Sequence, residues 1–342
     1  MMEYRQLGRT GVRVSAMCLG TMSFGARTDE ATSIKMVHEA LDMGINFIDT
    51  ADVYGRGVSE EVTGKAIAES GRRDEIVLAT KAVARMGDGP NDHGASRYHL
   101  TRACEASLRR LQTDRIDLYQ LHIVDLTTPM DEILGTLDTL VRQGKILYIG
   151  TSKWPVTLIM EALALSERCG LPRMVSEQPP YNILDRAIEN DLVWTCIRHG
   201  IGIISWGPLA YGILSGQYKK GDAQPAGSRY EKAKADDTRF TPAALDAVEK
   251  LRPIAEARGI TLAQLAHAWL LTRPGLTAPI IGPRTLEHLR DTVAACEVEL
   301  TADELAQIDE IVPSGRWASD FYDGNVQGRL RSAIASGEVA QP

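Results

Sequence analysis

Four residues of this chain combine types and settings that suit proton chemistry. Asp49 and Tyr54 lie in the stretch 46–55, which starts apolar at Phe47-Ile48, breaks at Asp49 and turns toward a helix opening near Ser59-Glu60-Glu61. Lys81 directly follows the apolar run 76–80, and His122 directly follows 116–121. If the three runs are parallel neighbouring strands, Asp49, Tyr54, Lys81 and His122 converge at one end of one sheet, where α/β proteins keep their chemistry. Read singly they are weak signals, since Asp49 could cap a turn and Tyr54 could cover a helix end. Together they suit reduction of a carbonyl. A tyrosine has a solution pKa of about 10 and needs a stabilised phenolate to serve as an acid. A nearby ammonium supplies that stabilisation, a carboxylate orients the ammonium, and a histidine hydrogen-bonds the substrate oxygen. Hydride would come from a cofactor.

Other chemistries find less support. Gly55-Arg56-Gly57 opens like a dinucleotide-binding G-x-G-x-x-G, but Glu60 replaces the third glycine and the next strand ends in Lys81 rather than an acid. His38-Glu39 is followed by Asp42 where H-E-x-x-H needs a second histidine, so no metal site is expected. G-x-S-x-G and the P-loop pattern are absent.

The elements that must position the four residues repeat about every 30 residues. The segments 3–7 and 12–16 flank Gly8-Arg9-Thr10-Gly11 and predict a β-hairpin. Strands are expected at 18–20 and near 47, 78, 119, 148, 176, 203 and 280, with helices at about 30–43, 59–70, 98–112, 131–143, 156–168 and 185–198. Further helices are expected at 244–258, 261–273, 285–296 and 302–311. Eight alternations predict an α/β fold, a (β/α)8 TIM barrel with an N-terminal hairpin and extra helices near the C-terminus, over one domain, 1–342. The polar stretch 217–243, with Lys219, Lys220, Arg229, Lys232, Lys234 and Arg239, reads either as a lid over a bound anionic ligand or as a disordered surface insertion. The tail, 313–342, is expected to pack over the barrel mouth and then fray.

Bulk composition narrows the class. The chain has 342 residues, 44% hydrophobic and 24% charged, with a net charge of −7. The acidity argues against nucleic acid or an anionic membrane as a partner. Five cysteines without a C-x-x-C pair read as free thiols in a reducing compartment, which makes the cytoplasm the expected location.

At this point the chain resembles the aldo-keto reductases from the hairpin to about residue 312. The carriers are residues 19–25, the motif 46–55, Val77-Leu78-Ala79-Thr80-Lys81 and Asp117-Leu118-Tyr119-Gln120-Leu121-His122. The resemblance implies a (β/α)8 barrel, a catalytic tetrad of Asp49, Tyr54, Lys81 and His122, and NADPH, less often NADH, bound extended without a Rossmann fold. It implies cofactor contacts at Thr21, Met22 and Asp49, and a carboxamide grip by Ser152 and Gln178, with Lys153 where the family usually has asparagine. Trp206 is expected to stack on the nicotinamide. The loop carrying Gly207, Pro208, Leu209, Gly212, Leu214 and Gly216 is expected around the pyrophosphate. Gly282, Arg284, His288 and Asp291 fall on the segment that binds the adenosine 2′-phosphate, where His288, Asp291 and Thr292 depart from the more usual Gln, Glu and Asn. The look is that of the microbial and channel-subunit-like branch. Its implied partner is a small carbonyl compound, and the reading leaves a homo-oligomer open. A cofactor-binding regulatory protein with incidental turnover is the competing reading.

Overall fold

A computed structural model describes residues 2–219, 230–231 and 237–337. Ten strands are present among them. β1 (Tyr4–Gln6) and β2 (Arg13–Ser15) pair antiparallel, Tyr4 opposite Ser15. The rest form a closed parallel barrel: β3 (Cys18–Gly20), β4 (Phe47–Asp49), β5 (Val77–Ala82), β6 (Ile116–Leu121), β7 (Ile146–Thr151), β8 (Met174–Glu177), β9 (Gly202–Ser205) and β10 (Leu276–Ile281). Closure is by β10 against β3, with Ile280 opposite Cys18.

The strand period of two explains how one wall does two jobs. Phe47, Ala79 and Leu118 pack with Leu7, Val14, Cys18, Val175, Ile204 and Ala278 in an apolar cluster, so the hairpin residues Leu7 and Val14 share the core of the barrel strands. Two residues further along β4, β5 and β6 the same alternation carries Asp49, Lys81 and Gln120, all buried. The alternate face, with Ile48, Leu78, Tyr119 and Ile149, joins a second cluster with helix residues such as Val37, Leu134 and Leu137.

Helices follow the expected positions, with one exception. Glu30–Asp42 is capped by Asp29, and Val58–Ser70 ends at left-handed Gly71. The helix expected over 185–198 is a short 3-10 turn, Ala187–Asn190, followed by Leu192–His199. The reason is local hydrogen bonding. Asn182 Oδ1 accepts from the backbone N–H of Leu184 and Asp185, and Asp185 accepts from Ala187 N–H. The other Asp185 oxygen accepts from Phe321 and Tyr322 N–H, so this stretch anchors the C-terminal segment. That segment does not simply fray: Tyr322–Asn325 and Gln327–Ser336 are helical. Residues 220–229 and 232–236, which hold Lys220, Arg229, Lys232 and Lys234 of the expected lid, lie outside the described residues. Among the described residues no helix is long and apolar enough to cross a membrane, and no group of three His, Cys, Asp or Glu could hold a metal.

Candidate active site

The carboxyl ends of β4, β5 and β6 bring Asp49, Lys81 and His122 together, and the turn after β4 adds Tyr54. Asp49 pairs with Ala79, which places Lys81 one side-chain step beyond it on the adjacent strand. Tyr54 opens a 3-10 turn, Tyr54–Gly57, in which Gly55, Arg56 and Gly57 have φ of 58°, 55° and 100°. Glycines on both sides of Arg56 make this left-handed reversal affordable, and helix Val58–Ser70 starts directly after it.

All three hydrogens of the Lys81 ammonium are committed. It donates to Asp49 Oδ1 at 2.5 Å, to the Thr50 carbonyl at 2.7 Å and to the Tyr54 hydroxyl at 3.3 Å. The other Asp49 oxygen, Oδ2, accepts from Gln120 Nε2 at 2.9 Å and Gln178 Nε2 at 3.0 Å. The His122 ring stands edge-on to Tyr54, with centroids 5.7 Å apart. Its Nδ1 is buried without a partner among the described residues.

Burial dominates the electrostatics. Burial would lower the Lys81 pKa, but Asp49 and Tyr54 outweigh it and hold the ammonium above its ordinary value. Burial raises the Tyr54 phenol, Lys81 pulls it back and Asp49 adds to the rise, so it lies above about 10 and is protonated at neutral pH. Lys81 thus moderates the phenol without reversing the cost of burial. Burial, then Lys81 and Lys153, push His122 well below its usual range, which keeps the imidazole neutral.

Other expected residues occupy varied settings. Thr21 is buried, its N–H bonded to the Asp49 carbonyl and its hydroxyl to Ser59, whereas Met22 is exposed. Ser152 donates to the Gln178 carbonyl at 2.9 Å. Lys153 has φ of 60°, and burial, then repulsion from Arg329 and Lys81, bring its pKa down to about 8. Trp206 stacks on Tyr211 at 5.8 Å and meets the edge of Phe321 at 6.2 Å. Ala210, Tyr211 and Gly212 are left-handed, while Pro208 and Leu214 bury their side chains, leaving Leu209 and Gly216 half-buried beside them. After β10, Gly282, Arg284 and His288 are exposed. Arg284 has no ion-pair partner among the described residues, and His288 N–H caps onto Thr285 Oγ1. Asp291 accepts from Gln264 at 2.9 Å and Thr261 at 3.3 Å, bracing the start of helix Leu262–Leu271.

Sequence reasoning passed over three buried polar residues here. Gln120 could have been found by counting two from Leu118 along β6. Glu177 accepts from Thr151 Oγ1 and Trp154 N–H, and burial raises it to about 7. Asp52 is fully buried with neither oxygen partnered among the described residues, and burial, then Glu60, push it up to about 8. Asp52 lies within the motif 46–55, but neither its sequence setting nor that of Glu177 marks a buried acid.

The model of the aldo/keto reductase family matches residues 16–313. The chain belongs to that family. It is 44% identical over 321 residues to the uncharacterized oxidoreductase YrpG of Bacillus subtilis, covering 91% of this chain and 96% of that protein. It is 36% identical over 327 residues to a probable voltage-gated potassium channel subunit beta of Arabidopsis thaliana, covering 92% and 97%. A putative subunit of the same description from Schizosaccharomyces pombe is 37% identical over 327 residues, covering 90% and 93%. This aldo/keto reductase is therefore an NAD(P)H-dependent oxidoreductase.

The residues present suit such a dinucleotide. A Cβ added to Gly207 or Gly282 would meet nothing within 4 Å, so both backbones border open space. Arg284 is an exposed cation just before helix Leu286–Ala294, whose N-terminal dipole also favours an anion. No donor among the described residues reaches Gln178 Oε1, which leaves an acceptor for an amide.

Proposed function

We propose that this aldo/keto reductase uses NADPH to reduce an aldehyde or ketone to an alcohol, with Tyr54 as the proton donor. The carrying observation is the closed chain of bonds from Asp49 through Lys81 to the Tyr54 hydroxyl. The chemistry the nicotinamide supplies when bound is hydride delivery to the carbonyl carbon.

Tyr54 holds its proton at neutral pH and releases it as negative charge grows on the carbonyl oxygen. The phenolate left behind faces an ammonium 3.3 Å away, which stabilises it at the moment it forms. Asp49 holds that ammonium charged against burial, which on its own pulls the Lys81 pKa down. Neutral His122 offers a hydrogen bond to the carbonyl oxygen without adding a second buried cation. Ser152 and Gln178 are suited to hold the nicotinamide carboxamide, Trp206 to cover the ring, and Arg284 to take the 2′-phosphate bidentately, which favours NADPH over NADH.

The experiment is loss of NADPH absorbance by purified protein with 4-nitrobenzaldehyde and a panel of aliphatic and sugar-derived carbonyls. Sustained, aldehyde-dependent turnover is expected. The names of the plant and yeast relatives favour a second reading, a regulatory protein that binds the cofactor. Tight NADPH binding with less than one turnover per minute on every carbonyl would support that reading and defeat the first.

A further inference from the structure

We propose that Gln120 is a positioning residue of this site: by holding Asp49 Oδ2, it sets how closely the Lys81 ammonium meets the Tyr54 hydroxyl. The proposal rests on the reading of Tyr54 as proton donor.

An ionised carboxylate only accepts hydrogen bonds, so the amide nitrogens of Gln120 and Gln178 must be the atoms that face Asp49. Gln178 Nε2 spends its second hydrogen on Gln120 Oε1 at 2.9 Å. Gln120 therefore donates to Asp49 and accepts from Gln178, closing a three-residue ring across β4, β6 and the loop after β8. Gln120 and Asp49 are buried, as is Gln178, so a broken bond here has no water to replace it. Gly150, opposite Gln120 in the ladder, leaves space for both its neighbours: a Cβ there would collide with Ser176 Oγ and lie 3.2 Å from Gln120 Cγ.

The carboxylate is thus gripped from both sides, Oδ1 by Lys81 and Oδ2 by two amides. The Lys81–Tyr54 bond is the longest of the three the ammonium makes, at 3.3 Å against 2.5 and 2.7 Å. It is the one most sensitive to a small shift of Asp49. If the carboxylate loses Gln120 and turns, the ammonium follows its closest partner and withdraws from the phenol.

The test uses Gln120→Leu and Gln120→Glu in the full chain, with Gln120→Met as the substitute should Gln120→Leu fail to fold. The Tyr54 titration is read by NMR on protein labelled at the tyrosine ring carbon bearing the hydroxyl, with Tyr54→Phe assigning the signal. Gln120→Leu is expected to raise the Tyr54 pKa and cut kcat by about tenfold or more, with the NADPH Kd within threefold. In Gln120→Glu a second carboxylate would face Asp49 until it takes up a proton and can donate. Its kcat relative to wild type is therefore expected to climb as pH falls from about 8 to about 5.5. The titration needs no turnover, so it decides the role of Gln120 even if carbonyl reduction is not found. A Tyr54 titration superimposable on wild type in Gln120→Leu, or in Gln120→Met where that replaces it, would overturn the proposal. So would kcat held within twofold.

Discussion

Asp49 and Asp52 sit three residues apart, equally deep in the protein, and meet opposite environments. Asp49 has Lys81 on one oxygen and two glutamine amides on the other. Asp52 has no partner on either oxygen among the described residues, and Glu60, the acid whose charge raises it further, already has its oxygens on Thr80 and Arg110. Burial, with the Glu60 charge adding to it, therefore outweighs the Val53 N–H and the Arg110 and Lys81 charges and leaves Asp52 a neutral acid up to about pH 8. Burial with donors supplied keeps a working ion pair at Asp49. Depth does not make a site; what makes one is the set of donors that the strand ends bring to that depth.

The largest effect should come from breaking the supplied side. Asp49→Asn strands the Lys81 ammonium without its counter-charge, a loss of about 3–5 kcal/mol for a buried pair. Urea unfolding should show that loss, and carbonyl reduction should fall by about a hundredfold or more. Wild-type stability in this variant would mean that the pair is not the anchor described above.

The unsupplied side gives a pH signature. Asp52 and Glu177 have folded pKa values of about 8 and about 7, raised from 3.8 and 4.5. On these two groups the folded state therefore binds more protons between the unfolded and folded values, so their contribution to stability is full below the unfolded values and is lost as pH rises through the folded values. Tm should drop by several degrees between about pH 6 and about pH 8.5, the upper part of the drop belonging to Asp52. Asp52→Asn, which mimics the neutral acid, should flatten the curve above about pH 7. An unchanged slope in Asp52→Asn would show that the carboxyl is ionised after all.

Much of this contrast was legible beforehand, and the reasons differ by residue. Asp49, Lys81 and His122 each end an apolar run, and strand ends are what a repeating βα pattern locates best. Gln120 lies within a run, so alternation alone could have marked it. The Gln178–Asp49 contact joins residues 129 positions apart, a distance that only barrel closure resolves. The turn at 187–190 went unread because Asn182 and Asp185 spend their side chains on backbone N–H groups, where periodicity suggested a helix. Asp52 left no signal, since an acid without partners looks in sequence like any loop aspartate.

A smaller effect lies at the open end of the site. Arg284 is exposed, so Arg284→Ala should leave stability unchanged within about 0.5 kcal/mol. It should weaken NADPH binding about tenfold or more, since a charge-assisted contact to phosphate is worth roughly 1.5–3 kcal/mol. NADH binding should stay within twofold. Equal losses for both cofactors would remove the 2′-phosphate from its role. The smallest effect belongs to Asp291, whose bonds to Thr261 and Gln264 brace a helix start. Asp291→Ala should cost about 1 kcal/mol or less by urea unfolding, with NADPH affinity within threefold. A large affinity loss would reassign Asp291 to the cofactor.

The central claim, that the Asp49–Lys81 pair exists to serve the Tyr54 phenol, is tested most directly by Tyr54→Phe. This variant removes one oxygen and leaves the pair and its glutamines in place. Steady-state reduction of 4-nitrobenzaldehyde, measured alongside NADPH binding by fluorescence quenching, should show kcat lowered by about 10²- to 10⁴-fold with the NADPH Kd within threefold. A variant that keeps more than half of the wild-type kcat would contradict the account.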